Sequence, residues 1–148
     1  MTVLASETAS ATAGREGKAT SPDGKINLDL SPPGSNGPGT NPEQLFAAGY
    51  SACFGGAIGA ASALAKISLK PSDIKVTATV NLNKDDSGYF LNVTLNAELN
   101  GVDQSQAEAL VAKAHTLRCL GFSGQSETLF SRNQEGRFYA PDQAEIAA

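Results

Sequence analysis

The sequence NPEQLFAAGYSACFGGAIGAASALAK, residues 41–66, contains the longest predicted element of the chain. Asn41 is a typical helix N-cap, Pro42 suits the first helical position, and Gln44 stands where a capping-box side chain would reach back to the cap. No proline interrupts the stretch, and the next one is Pro71. The sequence therefore predicts a helix that begins at Pro42 and ends at about the end of the stretch.

Residues 45–65 of this helix carry no charge, which is long enough for a transmembrane helix, and Gly55 and Gly59 have the spacing of small residues in membrane helix contacts. The run is nevertheless mostly Ala, Gly and Ser, and amphipathic segments that need a soluble core lie on both sides of it. We therefore expect a central helix that is buried on all sides. Because a small chain seldom surrounds one helix completely, we expect a second subunit to cover the rest, in a homodimer.

Segments of alternating polarity lie on both sides of the helix. Lys25–Leu30 alternates as a half-buried strand does, and Val3–Thr20 before it would form its hairpin partner. Residues 31–40, with three Pro and three Gly, predict a loop. Ile74–Leu82 and Tyr89–Leu99 also alternate, which predicts an antiparallel hairpin. The predicted fold class is α+β, with antiparallel sheets packed around the long central helix.

The end of the chain is less regular. Either Asp103 or Ser105 is placed to cap a second helix that ends near residue 117 or 118. Its expected buried stripe consists of Ala109, Leu110, Ala114 and Leu117. The loop that joins the two alternating segments before this helix is predicted at Lys84–Gly88. Beyond Cys119 the residues show no clean period, which predicts mostly loop.

Composition restricts the possible functions. At 148 residues, one domain covering residues 1–148 is expected. The net charge is −4 and no two Lys or Arg residues are adjacent, so a nucleic-acid partner is not expected. The first residues lack the pattern of a signal peptide, which favours the cytoplasm and a redox role for the two cysteines. One histidine and no C-x-x-C motif provide too few ligands for a metal site.

Cys53 lies on one helix face with Phe46, Tyr50 and Ala57, beside an aromatic patch. It is either a small buried hydrophobe or a reactive thiol, and periodicity does not decide between them. A reactive thiol needs a cation, because position 53 is too deep in the helix to use the N-terminal dipole.

Arg15, flanked by glycines, is the candidate cation, and Glu43 is the acid that would orient it. The alternative is that both are ordinary solvated charges, which is the usual state of such residues. His115 is either a base for a thiol or a dipole partner at a helix end.

Residues 41–54 resemble the peroxidatic-cysteine helix of the organic hydroperoxide resistance proteins, which belong to the osmotically inducible protein C superfamily. Residues 13–17 resemble that family's opening hairpin with its catalytic arginine. The likeness extends from about residue 5 to His115. It departs where Cys119 follows one residue late and without the usual proline, and residues 120–148 show no closing strand.

The resemblance implies an intertwined homodimer with two active sites at its interface, and reduction of organic hydroperoxides without a bound cofactor. Cys53 would attack the peroxide, Cys119 would resolve the sulfenic acid as a disulfide, and dihydrolipoamide or a lipoylated protein would supply electrons. Arg15 and Glu43 would activate Cys53. Phe46, Tyr50 and Phe54 would contact the substrate. The alternative is a non-catalytic or one-cysteine protein that binds an apolar ligand at the dimer interface.

Overall fold

The computed structural model of the protein describes residues 2–117 and the backbone of residues 127–132 and 138–139. The chain divides into two compact units, an N-terminal unit of residues 1–45 and a C-terminal unit of residues 46–148. The long helix begins in the first unit and continues into the second.

The N-terminal unit contains a small antiparallel sheet. Its strands are β1 (Ser10–Thr12), β2 (Lys18–Thr20) and β3 (Asn27–Asp29), in the order β1-β2-β3. The predicted hairpin partners are confirmed. Among the unit's described apolar residues, only Ala19 and Leu30 are buried. Backbone hydrogen bonds and polar contacts therefore hold this unit more than apolar packing does.

The predicted long helix is confirmed as α1 (Pro42–Leu64). The Asn41 side chain accepts a hydrogen bond from the backbone N–H of Gln44 at 2.9 Å, as expected of an N-cap. The Gln44 side chain accepts from the hydroxyl of Thr40 at 2.7 Å. After α1, Lys66 adopts a left-handed conformation with φ 56°, and the backbone N–H of Ile67 donates to the carbonyl of Ser62. This pairing is a Schellman motif, which satisfies the last carbonyls of the helix.

The C-terminal unit is built on a four-stranded sheet. Its strands are β4 (Ile74–Asp85), β5 (Gly88–Leu99), β6 (Glu127–Arg132) and β7 (Phe138–Tyr139), in the order β4-β5-β6-β7. β4 and β5 form the predicted antiparallel hairpin. Their ladder continues to the pair Asp85–Gly88, so the predicted five-residue loop is wrong, and the turn is shorter.

The expectation that residues 120–148 show no closing strand is also wrong, since β6 and β7 lie there. β6 pairs with β5 in parallel, and β7 pairs with β6 antiparallel. A parallel neighbour more than 25 residues away is a non-local contact, and weak local alternation did not reveal it.

Helix α2 (Gln104–Thr116) follows β5. Its N-cap is Asp103, which accepts from the N–H of Gln106 at 2.8 Å, whereas the alternative cap was Ser105. The predicted buried stripe is confirmed at Leu110 and Ala114 and is wrong at its other two positions. The buried face consists of Ala107, Leu110, Val111 and Ala114, while Ala109 and Leu117 are exposed.

The hydrophobic core of the C-terminal unit lies between one face of α1, α2 and the inner face of the β4–β5 hairpin. Its largest fully buried side chains are Phe54, Ile58, Val93, Leu95, Leu99 and Leu110. The α+β class with antiparallel pairing and a central helix is thus confirmed. Within the described part of the chain, α1 is long and apolar enough to cross a membrane by length and composition, and 28% of its most apolar window is buried.

Candidate functional site

Cys53 lies near the middle of α1, beside the buried face of the helix. It is half-buried, and the next residue, Phe54, is 1% exposed in the core. Tyr50 lies one helical turn before it and is 3% exposed. The ring of Phe46 meets that of Tyr50 at 5.5 Å between centroids, tilted by 50°. The predicted aromatic cluster on the cysteine's face of α1 is therefore present.

The three aromatic residues predicted to contact substrate differ in exposure. Phe46 is half-buried at the edge of the core, whereas Tyr50 and Phe54 are core residues. In the described chain, packing accounts for the burial of Phe54. Its direct contact with a substrate stays a prediction, and Phe46 is the more accessible of the three.

Arg15 and Glu43 form a bidentate ion pair, as their chemistry predicted. Nη1 of the arginine donates to Oε2 of the glutamate at 2.9 Å, and Nη2 donates to Oε1 at 2.7 Å. The Arg15 side chain is 43% exposed, and that of Glu43 only 11%. The two residues are 28 positions apart, so the alternative of two separately solvated charges is wrong. This fork geometry orients the guanidinium in a fixed plane.

The ion pair changes the titration of both partners. The hydrogen bonds from Arg15 hold the pKa of Glu43 below its ordinary value of 4.5, against the opposing effect of burial. The same hydrogen bonds raise the pKa of Arg15 above its ordinary value, against desolvation. The pair is therefore fully charged at neutral pH, and the guanidinium remains a fixed positive group.

The remaining candidates are Cys119, His115 and a metal site. Cys119 lies outside the described residues, so its predicted resolving role stays a prediction. His115 is half-buried in the last turn of α2, where a cation would interact favourably with the helix dipole. Within residues 2–117 no cluster of three or more His, Cys, Asp or Glu side chains has the arrangement of a metal site.

The residues that shape the approach to Glu43 were not predicted from the sequence. The Thr40 hydroxyl bonds to Gln44, and Gly39 lies against the backbone of β3. The available signal was a glycine followed by a threonine directly before the N-cap of α1. The close approach of Gly39 is to residues about ten positions earlier in the chain, and a local pattern does not encode such a contact.

Comparison with known proteins identifies the family. Residues 34–121 match the family model of the OsmC-like proteins. The chain is 43% identical over 117 residues to an organic hydroperoxide resistance protein of Xanthomonas axonopodis pv. citri (strain 306), covering 76% of this chain and 82% of that protein. It is 45% identical over 119 residues to the organic hydroperoxide resistance protein OhrA of Bacillus subtilis (strain 168), with the same coverages.

Solved structures agree with these sequence matches. The organic hydroperoxide resistance protein OhrB of Bacillus subtilis superposes with a TM-score of 0.80 at 34% identity, covering 88% of this chain and 100% of that one. A putative organic hydroperoxide resistance protein of Vibrio cholerae, with captopril bound in one of its active sites, gives 0.80 at 35% identity and covers 94% and 97%. The identity, the coverage and the shared fold agree, and the chain belongs to the organic hydroperoxide resistance family of OsmC-like proteins.

Proposed function

We propose that the protein is a cysteine-based peroxidase that reduces organic hydroperoxides to alcohols. The observation that carries this proposal is the preformed Arg15–Glu43 ion pair in a chain of this family that also keeps Cys53 beside the Phe46–Tyr50 cluster. The relatives' names connect the family with organic hydroperoxide resistance. A peroxidase mechanism is the simplest chemistry that gives such resistance with a thiol and a cation.

In the first step, the Cys53 thiolate attacks the outer oxygen of the hydroperoxide. A sulfur–oxygen bond forms, the oxygen–oxygen bond breaks, and the leaving alkoxide takes a proton to become the alcohol. Cys53 is thereby oxidised to a sulfenic acid. In the second step, the thiol of Cys119 attacks that sulfur, a disulfide forms, and water leaves. A dithiol then returns two electrons to the disulfide.

Arg15 supplies the positive potential that Cys53 needs. A free thiol has a pKa of about 8.5, so it is mostly protonated at neutral pH without a nearby cation. Position 53 is beyond the first turn of α1, where the helix dipole has little effect. The role of Glu43 is to hold the guanidinium plane in a fixed orientation, which a lone arginine on an exposed turn does not maintain.

The substrate is an organic rather than an inorganic peroxide. Phe46 offers an accessible apolar surface on the cysteine's side of α1, with Tyr50 packed behind it. Apolar contact of this kind gives on the order of 1–3 kcal/mol of discrimination, or about tenfold and more in kcat/KM. Cumene hydroperoxide should therefore be a better substrate than hydrogen peroxide by at least about tenfold.

Two copies of the chain form the active dimer. The face of α1 opposite the core is exposed and consists of small residues at helical spacing: Ala48, Ala52, Gly56, Ala60 and Ala63. An uncharged helix face of this kind is normally covered, and small residues let a second helix or sheet come close. The Vibrio cholerae relative has more than one active site, which agrees with a multimeric enzyme.

Gly56→Leu distinguishes a monomer from a dimer, because its expected effect on stability has the opposite sign in the two. A Cβ at Gly56 would meet nothing within 4 Å in the single chain. In a monomer the substitution should therefore stabilise α1, by up to about 1 kcal/mol of helix propensity. In a dimer the leucine would separate the subunits and lower both mass and stability. Ala109→Leu, on the exposed face of α2, is the control for sedimentation and thermal unfolding.

Intact mass after one equivalent of cumene hydroperoxide tests the chemistry. The two-cysteine mechanism gives a loss of two hydrogens in the wild type and a gain of one oxygen in Cys119→Ser. Cys53→Ser should show neither change and no peroxide consumption. An unmodified wild-type chain would favour the non-catalytic alternative, and equal single-turnover loss in both variants would overturn the assigned roles.

The electron donor is an external dithiol, dihydrolipoamide or a lipoylated protein, in the cytoplasm. We expect steady turnover with dihydrolipoamide and much slower turnover with a monothiol such as glutathione at the same concentration, because a tethered second thiol resolves the mixed disulfide intramolecularly. Equal turnover with both donors would contradict this choice of reductant. Neither a nucleic acid nor a membrane takes part in the proposed reaction.

A further inference from the structure

Gly17 allows the turn that carries Arg15 to lie close to β1. Arg15 is the middle residue of a single 3-10 turn, Gly14–Glu16, between β1 and β2. Gly17 follows directly, and a Cβ there would overlap the carbonyl oxygen of Thr12 and lie 2.7 Å from its carbonyl carbon. Real Cβ atoms essentially never come within 3.0 Å of such an atom. Any other residue at position 17 must therefore push the turn away from β1.

Gly17 also connects this turn to the segment that leads to Glu43. Its carbonyl accepts a hydrogen bond from the N–H of Leu30 at 2.8 Å, and Leu30 is 7% exposed. On the other side of the same segment, the N–H of Thr40 donates to the carbonyl of Asp29 at 2.9 Å. The end of β3 is thus bonded to the Arg15 turn on one side and to the approach to α1 on the other.

A second glycine sits at this junction. A Cβ at Gly39 would lie 2.6 Å from the carbonyl oxygen of Asp29 and 2.7 Å from the carbonyl carbon of Leu30. Those contacts are backbone atoms of a paired strand, which do not yield as a flexible side chain does. Gly39 precedes Glu43 by four residues, and Thr40 between them is fixed in the ladder. Gly17 thus permits close approach to β1, and Gly39 permits close approach to Asp29 and Leu30 at the end of β3.

We propose that Gly17 and Gly39 are positioning residues that hold Arg15 in register with Glu43. This inference rests on the proposed function, in which the oriented guanidinium activates Cys53. The two N–H···O bonds of the pair, at 2.9 and 2.7 Å, require both side chains to start from fixed backbone positions. A backbone shift at either glycine changes the distance and angle of these two bonds, and hydrogen bonds weaken steeply as their geometry departs from the preferred one.

The test compares Gly17→Ala and Gly39→Ala with two glycine controls in the same unit. Gly24→Ala lies at the other end of the β2–β3 hairpin, and Gly34→Ala lies in the same loop as Gly39. Both controls have positive φ, 74° and 77°, and open space for a Cβ. Each control is therefore strained by alanine without moving the Arg15 turn or β3. The readouts are the pH profile of Cys53 alkylation and the second-order rate with cumene hydroperoxide.

We expect Gly17→Ala and Gly39→Ala to raise the apparent pKa of Cys53 and to slow peroxide attack roughly tenfold or more, as loss of an orienting partner does. The controls should keep the wild-type profile. In an Arg15→Ala background the same two substitutions should change the rate less than about twofold, because the group that they position is gone.

Wild-type profiles in the glycine variants would overturn the proposal, and so would an equal slowing in the Arg15→Ala background. If Gly17→Ala does not fold, the outcome for Gly39→Ala decides. An unchanged rate and pH profile in Arg15→Ala alone would instead contradict the activation step of the proposed function. The two failures are therefore distinguishable.

Discussion

The two units of the chain are stabilised by different means. The C-terminal unit packs a long hairpin and two helices around a dry core that includes Phe54, Ile58 and Leu95. The N-terminal unit buries only Ala19 and Leu30 among its described apolar residues, and relies on a ladder, close glycine contacts and an ion pair. Cys53 thus lies on the well-packed unit, whereas its proposed activating group lies on the weakly packed one. Mutations in the core of the C-terminal unit should therefore mainly lower the free energy of unfolding, and mutations at Arg15 should mainly lower the rate of peroxide attack.

A leucine-to-alanine substitution in a strand of each unit gives the largest expected difference in the free energy of unfolding. Leu95 on β5 is 1% exposed, and Leu28 on β3 is 38% exposed. Leu95→Ala removes buried methyl groups and leaves a cavity, so we expect a loss of about 2–5 kcal/mol in the free energy of unfolding. Leu28→Ala should cost about 1 kcal/mol or less. Urea denaturation measures both, and equal losses would show that the N-terminal unit has a comparable core in the native assembly.

Arg15→Ala should show the opposite pattern, with little effect on stability and a large effect on chemistry. We expect peroxide attack at neutral pH to slow by about 10–100-fold, with a raised Cys53 pKa. Glu43→Ala should slow it less, because it misplaces the guanidinium without removing its charge.

The two losses should not add in the double variant, because the pair acts as one unit. Stopped-flow kinetics and pH-dependent alkylation provide the measurements. A wild-type pKa of Cys53 in Arg15→Ala would mean that another group activates the sulfur.

Strong local signals predicted most of the fold. Asn41 caps α1 as its sequence indicates, and strict alternation located β4 and β5. The errors arose where local and tertiary information differ. Polar residues at the hairpin tip belong to the strands because the ladder extends to them. Helix α2 contains so many alanines that Ala109 was predicted to be buried in place of Ala107.

The candidate site was predictable to the extent that its chemistry is specific. A reactive cysteine needs a cation, and an arginine beside an apolar helix needs an acid to orient it, which led to Arg15 and Glu43 across 28 positions. The backbone contacts of Gly17 and Gly39 depend on how three separate segments meet. No local pattern in one sequence encodes such a meeting, so these positions required the structure.

The pH dependence of stability provides a smaller effect, limited to the N-terminal unit. The pKa of Glu43 is lowered in the folded state, so the ion pair contributes its full stability above about pH 4.5, the ordinary value. That contribution is lost as the pH falls through the folded-state pKa. The difference in unfolding free energy between wild type and Glu43→Gln should be constant from about pH 5.5 to 8 and shrink below about pH 4.5. A difference that changes near pH 7 would require another titrating group.

The smallest effect concerns strain at one residue in each unit. Among the described non-glycine residues, Ala13 (φ 51°) and Lys66 (φ 56°) have positive φ. Lys66 ends α1 in a Schellman motif, where glycine is preferred, so Lys66→Gly should stabilise the protein by about 0.5 kcal/mol. Lys66→Ala keeps the strain and is the control. Neither variant should change the rate of peroxide reduction, because position 66 belongs to the packed unit.

Ala13→Gly relieves the same strain directly before the Arg15 turn, so its stability should change by a similarly small amount. The added backbone freedom reaches the arginine, however, and spreads the guanidinium over more orientations relative to Glu43. We therefore expect peroxide attack to slow by about two- to fivefold, well below the effect of Arg15→Ala. Thermal unfolding and stopped-flow rates of the two glycine variants, measured side by side, make the comparison. A slower rate in Lys66→Gly, or an unchanged rate in Ala13→Gly, would show that the chemistry does not depend on the rigidity of the weakly packed unit.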